Sequence, residues 1–279
     1  MCGITGIFAF NLIGKFNKIH VTQATQVLGK RGPDFQDIFL DEWIALGHRR
    51  LSIIDTSSVS NQPLWDESHR YCIVFNGEIF NFRELRHQLR NEGVSFFSQG
   101  DTEVLLKLYM RYGAKCLDKL NGFFAFCILD KQEQELFIAR DRFGIKPLYY
   151  CFDEDKFIFA SEMKSVMHYG IDKTLDLNSL FTYLQLNYIP APATIFQSVK
   201  KLLPGHFMKV RRQKLNIQQW YSIPFTATNN ANINYDKAKT RLVELLESSV
   251  KRRLVADVPL GITRAYVPAS DVPADSWHR

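Results

Sequence analysis

The feature that most restricts the fold of this chain lies at its start. Residues 2–10, CGITGIFAF, are short, apolar and Gly-containing, the composition of a buried strand that opens at the very N-terminus. Free termini fray unless structure ties them down. A strand at this place pins the terminus inside the fold, and with it Cys2.

The rest of the chain is long enough to close around such a strand. It has 279 residues, 46% hydrophobic and 23% charged, which gives room for one large core or two smaller ones and excludes disordered and fibrous classes. The longest uninterrupted apolar run, Phe123 to Leu129, falls far short of the roughly 20 residues that cross a bilayer, and no signal-peptide pattern opens the chain. A cytoplasmic protein without a membrane partner is expected. The net charge of +6 comes from scattered Lys and Arg rather than a basic face, so no nucleic-acid partner is expected either. Five cysteines, Cys2, Cys72, Cys116, Cys127 and Cys151, are odd in number and form no CxxC pair. Neither a disulfide framework nor a metal site follows from them. Four read as small core hydrophobes.

Along the chain, WIALGHRRLSIID (43–55) sets two strand-like pieces about a basic centre. Period two puts Arg50 with His48 and Ser52 on one face and Arg49 with Leu51 and Ile53 on the other, so one arginine points into an enclosed place. YCIVFNGEIFN (71–81) is an apolar strand running into Asn76-Gly77, a turn-favouring dipeptide. Asn81 with Glu84 has the spacing of a capping box for a helix ended by Gly93, and a second helix runs from about Thr102 to Tyr112. After Gly122 come FFAFCILD, ELFIARD, PLYYCF and FIFASE, separated by short charged loops, which read as an antiparallel meander. Helices laid on antiparallel sheets make an α+β layered fold. Residues 188–204 read as a long ordered loop, 226–234 as an Asn-rich linker, and 236–254 as an amphipathic helix.

Several of these residues could carry chemistry. Initiator methionine before a small residue is normally trimmed, which would leave Cys2 with its thiol and a free α-amine on one carbon. An amine with a pKa of about 8 is a general base for the thiol. Asn76-Gly77 can offer a side-chain amide and a backbone N–H to an oxyanion. Arg50 can clamp a carboxylate, and Asp101 can receive an ammonium group. Taken singly, each has a plainer reading: an incidental cysteine, a turn, a surface arginine, a helix cap. Arg140-Asp141-Arg142 reads as structural ion pairing at a sheet end, with contact to a second domain as the alternative.

Together, the blocks CGITG (2–6), KRGPD (30–34), GHRRLSIID (47–55), FNGEIFN (75–81), GDTE (100–103) and ARDRFGIKPLY (139–149) resemble the glutaminase domain of glutamine-dependent asparagine synthetases. The likeness extends from Met1 to about Gly261 and includes LLPGH (202–206). It implies an N-terminal nucleophile hydrolase fold, a four-layer αββα sandwich with antiparallel sheets, followed by the incomplete start of an α/β synthetase domain. The division it implies is residues 2–210 as the glutaminase domain, 211–261 as linker and first synthetase helix, and 262–279 as an atypical tail. The resemblance also implies L-glutamine as substrate, with Cys2 as nucleophile and Asn76 and Gly77 as the oxyanion hole. Arg50 would hold the α-carboxylate with backbone help from Leu51 and Ile53, and Glu78 and Asp101 would receive the α-amino group. The glutaminase part needs no cofactor.

The family continues past a Val-Pro-Leu-Gly segment into an ATP-gripping Ser-Gly-Gly-x-Asp-Ser loop. Here Val258-Pro259-Leu260-Gly261 is present, with Leu260 at a family ATP-binding position, but ITRAYVPASDVPADSWHR follows and carries no Gly-rich cradle. ATP and Mg2+, and asparagine formation from aspartate, therefore belong to a part that the sequence does not display, and a chain shortened or frame-shifted after Gly261 is the expectation. Amidotransferases for other acceptors, such as a surface-polysaccharide sugar, share the first domain and stay open, as does a non-catalytic remnant. The apolar stripe of the last helix leaves room for a homodimer or other self-association.

Overall fold

Most strands are apolar on both faces, and a strand of that kind is stable only when covered on both sides. In the computed structural model, which describes residues 1–211, 213–224, 234–259 and 261, this demand is met by two stacked sheets with helices outside each. The strands are β1 (Gly3–Ala9), β2 (Phe35–Leu40), β3 (Ile44–Arg50), β4 (Leu64–Trp65), β5 (Tyr71–Ile79), β6 (Gly122–Asp130), β7 (Glu135–Arg140), β8 (Tyr149–Phe152), β9 (Lys156–Ala160), β10 (Val199–Lys201), β11 (His206–Arg211) and β12 (Lys214–Gln219). The helices are α1 (Leu12–Lys18), α2 (Val21–Gln26), α3 (Phe82–Asn91), α4 (Asp101–Tyr112), α5 (Cys116–Lys119), α6 (Met163–Val166), α7 (Leu177–Leu186) and α8 (Tyr235–Arg253). One sheet runs β10-β8-β9-β1-β3-β2 and the other β12-β11-β7-β6-β5-β4, with antiparallel neighbours throughout.

Period two assigns the layers residue by residue. In β6, Ala125, Cys127 and Leu129 join Ile4, Leu46, Val74 and Phe159 in the core between the sheets. The alternate residues Phe124, Phe126 and Ile128 meet Leu85, Leu89, Val104 and Leu105 of α3 and α4 on the outer side. On the other sheet Ile7, Ala45 and Ile158 pack against Val21 and Ala24 of α2 and Val166 of α6. The layers are therefore α, β, β, α, as expected. Cys72, Cys116, Cys127 and Cys151 are buried free thiols within these cores.

Four local readings change. Asn76-Gly77 makes no turn: both residues lie inside β5, paired with Ala125 and Phe124 of β6, because the strand pairing continues through Ile79. The meander does not form, because β6–β7 and β8–β9 are hairpins of different sheets and the chain crosses between the layers through residues 141–148. Asn81 stands at the cap of α3 but makes no capping bond. Its amide instead braces the chain before β6, donating to the Lys119 carbonyl and accepting from the Asn121 N–H. Asp141 is not an ion-pair partner of its neighbouring arginines. Its carboxylate accepts backbone N–H bonds from Phe124, Phe143, Ile145 and Lys146 at 3.0–3.2 Å, while Arg140 donates to the carbonyls of Lys146, Gly144 and Leu202. The role is structural, as expected, yet it is loop caging rather than charge pairing.

The helix predicted over 236–254 is α8, capped by the Asn234 side chain, which accepts from the Lys237 N–H at 3.1 Å. Residues 226–233 of the Asn-rich linker, Leu260 and the tail 262–279 lie outside the described residues. Among the described residues no helix is long and apolar enough to cross a membrane.

Candidate active site

Side-chain parity along three strands aims the chemistry at one place. In β1, Ile4 and Phe8 face the inter-sheet core, so Cys2, two residues before Ile4, projects to the same side at the strand's open end. In β3, Ile44 and Leu46 face that core, and His48 and Arg50 continue the row. In β5 the row is Cys72, Val74 and then Asn76. The antiparallel register of β1 with β3, Gly3 against Arg49, sets Cys2 beside the end of β3. His48 Nε2 hydrogen-bonds the Phe75 carbonyl at 3.1 Å and ties β3 to β5 across the two sheets. Burial lowers the His48 pKa to about 3, against the raising effect of that bond, so the imidazole is neutral at physiological pH.

These rows end in a cleft of about 500 Å³, counting its open mouth, that gathers all eight site positions expected within the described residues: Cys2, Arg50, Leu51, Ile53, Asn76, Gly77, Glu78 and Asp101. The ninth, Leu260, lies outside them. Cys2 is half-buried, and its Sγ lies 3.4 Å from the Leu51 N–H that it accepts. Burial pushes the thiol pKa up, so a thiolate is not preformed and a base is needed. The Cys2 carbonyl accepts from Arg31 Nε at 2.8 Å, and Arg31 pairs with Glu162 at 3.2 Å, which anchors the terminus.

Asn76 is 0% exposed, and among the described residues neither its Nδ2 nor its Oδ1 has a hydrogen-bond partner. A buried amide left unpaired costs about 1–3 kcal/mol and is rare in a folded protein. Next to it, a Cβ on Gly77 would sit 2.3 Å from the Phe123 carbonyl oxygen, so only glycine lets β5 pass this close to β6. Arg50 is 4% exposed and held by neutral groups alone: the carbonyls of Ser57, Ile54 and Asp55 and the Asn61 amide oxygen. Among the described residues no carboxylate pairs with this buried guanidinium, so its charge faces the cleft uncompensated. Asp101 opens α4 and accepts from the Ile79 N–H at 2.9 Å. Burial raises its pKa to about 7, against that bond, and the Glu78 charge adds to the rise.

The cleft also contains groups that the residue-by-residue reading had not assigned. Lys146, 6% exposed, reaches it from the loop that Asp141 cages, and its presence inside the ARDRFGIKPLY block was the available signal. Gln62 accepts from the Phe75 N–H at 2.6 Å and donates to Thr102 at 3.2 Å, linking β5 to α4; nothing in its local sequence marks it. Arg49, on the other face of β3, pairs with Gln36 outside the cleft. Among the described residues no group of three or more His, Cys, Asp and Glu stands close enough to hold a metal ion.

Known proteins are similar to this chain in sequence and in fold. The glutamine amidotransferase domain family matches residues 1–221. Asparagine synthetase (glutamine-hydrolyzing) 1 of Bacillus subtilis is 37% identical over 264 residues, which are 94% of this chain and 41% of that protein. Putative asparagine synthetase (glutamine-hydrolyzing) 2 of Methanocaldococcus jannaschii is 35% identical over 286 residues, 94% of this chain and 54% of that protein. The chain thus spans about half or less of the length of these relatives. A solved glutamine phosphoribosylpyrophosphate amidotransferase from B. subtilis, complexed with ADP and GMP, superposes with a TM-score of 0.57 at 20% identity, covering 79% of this chain and 49% of that one. At that identity the likeness is one of fold, and it covers the layered sandwich described above. By the span of the family match, the chain belongs to the glutamine amidotransferase domain family.

Proposed function

We propose that the cleft hydrolyses L-glutamine to glutamate and ammonia through a γ-glutamyl thioester on Cys2. The observation that carries this reading is the fully buried Asn76 amide, without a hydrogen-bond partner among the described residues, in the same cleft as the Cys2 thiol. Arg50 receives the α-carboxylate, aided by backbone groups of Leu51 and Ile53, and Asp101 with Glu78 receives the α-ammonium. With Met1 removed, the α-amine of Cys2 takes the thiol proton as the sulfur attacks the side-chain amide carbon. The oxyanion is met by Asn76 Nδ2 and the Gly77 N–H. Collapse of the tetrahedral intermediate expels ammonia, which takes the proton back from the α-ammonium. Water then enters, the same amine accepts its proton, and glutamate leaves with the thiol restored.

In this reading the ammonia serves an ATP-dependent conversion of aspartate to asparagine carried by a synthetase part, as the names of the relatives suggest. ATP and Mg2+ belong to that part, and no step here runs through them: residues 262–279 carry no Gly-rich anion cradle. The division at residues 210 and 261 belongs to the same reading, supported by the Asn-rich stretch that separates β12 from α8. A cytoplasmic location fits the four buried free thiols. Self-association fits the exposed apolar residues of α7 and α8, among them Phe181, Leu184, Leu242 and Leu246.

Cys2→Ala should abolish glutamate release, a loss on the order of 10⁴-fold or more for a covalent nucleophile, without lowering the melting temperature. A glutamine-analogue electrophile should add its mass to the N-terminal peptide of the wild-type chain only. Glutaminase activity retained by Cys2→Ala would overturn the reading, and an active chain with Met1 still attached would remove the amine from it.

A further inference from the structure

The end of α8 and the segment after it lie outside the 1–221 family match, yet they reach the β5–β6 end and the loop after β3, both of which contribute residues to the cleft. At the end of α8 the Arg253 guanidinium stacks over Phe80 and Phe123, 5.0 and 4.8 Å from their ring centroids. These two rings, packed edge to face at 5.2 Å, close the β5–β6 end that carries Asn76, Gly77 and Glu78. Val255 then packs against the core that α3 and α4 form on β5 and β6. Two residues later the chain reaches the loop that follows β3. The Asp257 N–H donates to the Ile53 carbonyl at 2.8 Å, and the Asp257 carboxylate Oδ2 accepts from the Asp55 N–H at 2.7 Å.

That loop is the cage of Arg50. The carbonyls of Ile54, Asp55 and Ser57 accept from its guanidinium, and Ile53 itself lines the cleft. The Asp55 carboxylate fixes the turn from within, accepting from Ser57, Ser60 Oγ and the Gln99 N–H. Asp257 thus supplies hydrogen bonds to both sides of Ile54, at the point where the loop turns its carbonyls toward Arg50. A loop stapled on both sides loses less freedom when a ligand carboxylate settles on the guanidinium it holds.

We propose that residues 253–257 form a strap in which Asp257 is a positioning residue for the Arg50 loop, so that glutamine affinity is set in part from outside the glutamine amidotransferase domain. The inference rests on Arg50 being the glutamine carboxylate site. Asp257 touches no substrate atom and acts through the backbone of Ile53 and Asp55. It supplies a route by which whatever follows Gly261 is coupled to glutamine binding, because displacement of the strap frees the loop.

The test uses the full chain with L-glutamine. Asp257→Ala removes the bond to the Asp55 N–H and keeps the backbone bond to Ile53, and should raise KM for glutamine roughly threefold to tenfold, the range of one lost hydrogen bond, with kcat unchanged. Asp257→Asn, which keeps an acceptor oxygen for the Asp55 N–H, should stay near the wild-type KM. Deuterium uptake at residues 53–57 should rise in Asp257→Ala and return toward wild type in Asp257→Asn. An unchanged KM in Asp257→Ala, or a fall in kcat and melting temperature with no KM change, would overturn the strap. The two ideas fail separately: hydrolysis surviving in Cys2→Ala sinks the proposed reading, whereas hydrolysis that needs Cys2 but ignores Asp257 sinks only the strap.

Discussion

Helices α4 and α8 carry similar apolar patterns and meet opposite fates. In α4, Val104, Leu105 and Leu108 are 0% exposed against β5 and β6, and eight of the twelve residues are buried. In α8, Leu242, Leu245, Leu246 and Val250 keep the helical register, but each is more than half exposed and no residue of the helix is buried. Its end engages the rest of the fold, through Arg253 and the strap that follows. The difference teaches that an amphipathic stripe specifies a helix with one sticky side, while burial requires a second surface of matching shape. The same contrast explains the chemistry. Because α4 is clamped on a sheet, Asp101 at its first turn is held in the cleft.

The largest expected effect that could break this contrast is on stability. Leu105→Ala should cost about 2–5 kcal/mol in chemical denaturation, whereas Leu245→Ala should stay within about 0.5 kcal/mol. Equal losses at the two positions would mean that α8 is packed in solution, with a second copy or another partner over its stripe. Concentration-dependent sedimentation that disappears in Leu242→Glu would identify self-association as the cause.

A second effect separates the Asp101 carboxylate in the cleft from the Asp55 carboxylate in the loop that holds Arg50. Asp101 holds its proton up to about pH 7 when folded, while an unfolded Asp releases it near pH 4. The stability contributed by that protonated carboxyl is therefore present at low pH and declines as pH rises from about 4 to about 7. If Asp101 receives the glutamine ammonium as proposed, binding runs the other way, since an ammonium prefers the ionised carboxylate: KM should fall as pH rises through about 7. Asp101→Asn should raise KM and remove that inflection, and an inflection that survives would take Asp101 out of the ammonium site. Asp55 has the opposite sign. Burial by itself raises it, but hydrogen bonds from Ser57, Ser60 and Gln99 outweigh burial and hold it at about 2. Its contribution is present above about pH 4 and fades as pH falls toward 2, so Asp55→Asn should flatten the acid limb of the stability profile.

Strands and helices were legible wherever one period ran uninterrupted. The runs of β1, β5 and β6, the four buried cysteines and the extent of α8 follow from apolar spacing. The meander was not legible, since the hairpins β6–β7 and β8–β9 have the same local pattern whether they share a sheet or face each other across a core. The site residues were legible as blocks, and their convergence was not: Cys2, Arg50, Asn76 and Asp101 are far apart in sequence and share one cleft only after two sheets stack. Gln62 escaped notice because its role is a pair of long-range hydrogen bonds with no local signature.

The sequence by itself determined the elements, the parity that aims Cys2, Arg50 and Asn76 to one side of their strands, and the chemical types available there, because those depend on spacing and side-chain identity. The tertiary structure decided which pairs meet and in what electrostatic setting. Burial raised Asp101 and lowered His48, left Asn76 with no hydrogen-bond partner among the described residues, and set Arg50 among neutral acceptors. It also brought Asp257 to the Arg50 loop from 202 residues away from Asp55. Solvent exclusion and long-range contact are properties of packed layers, and no single strand or helix carries them.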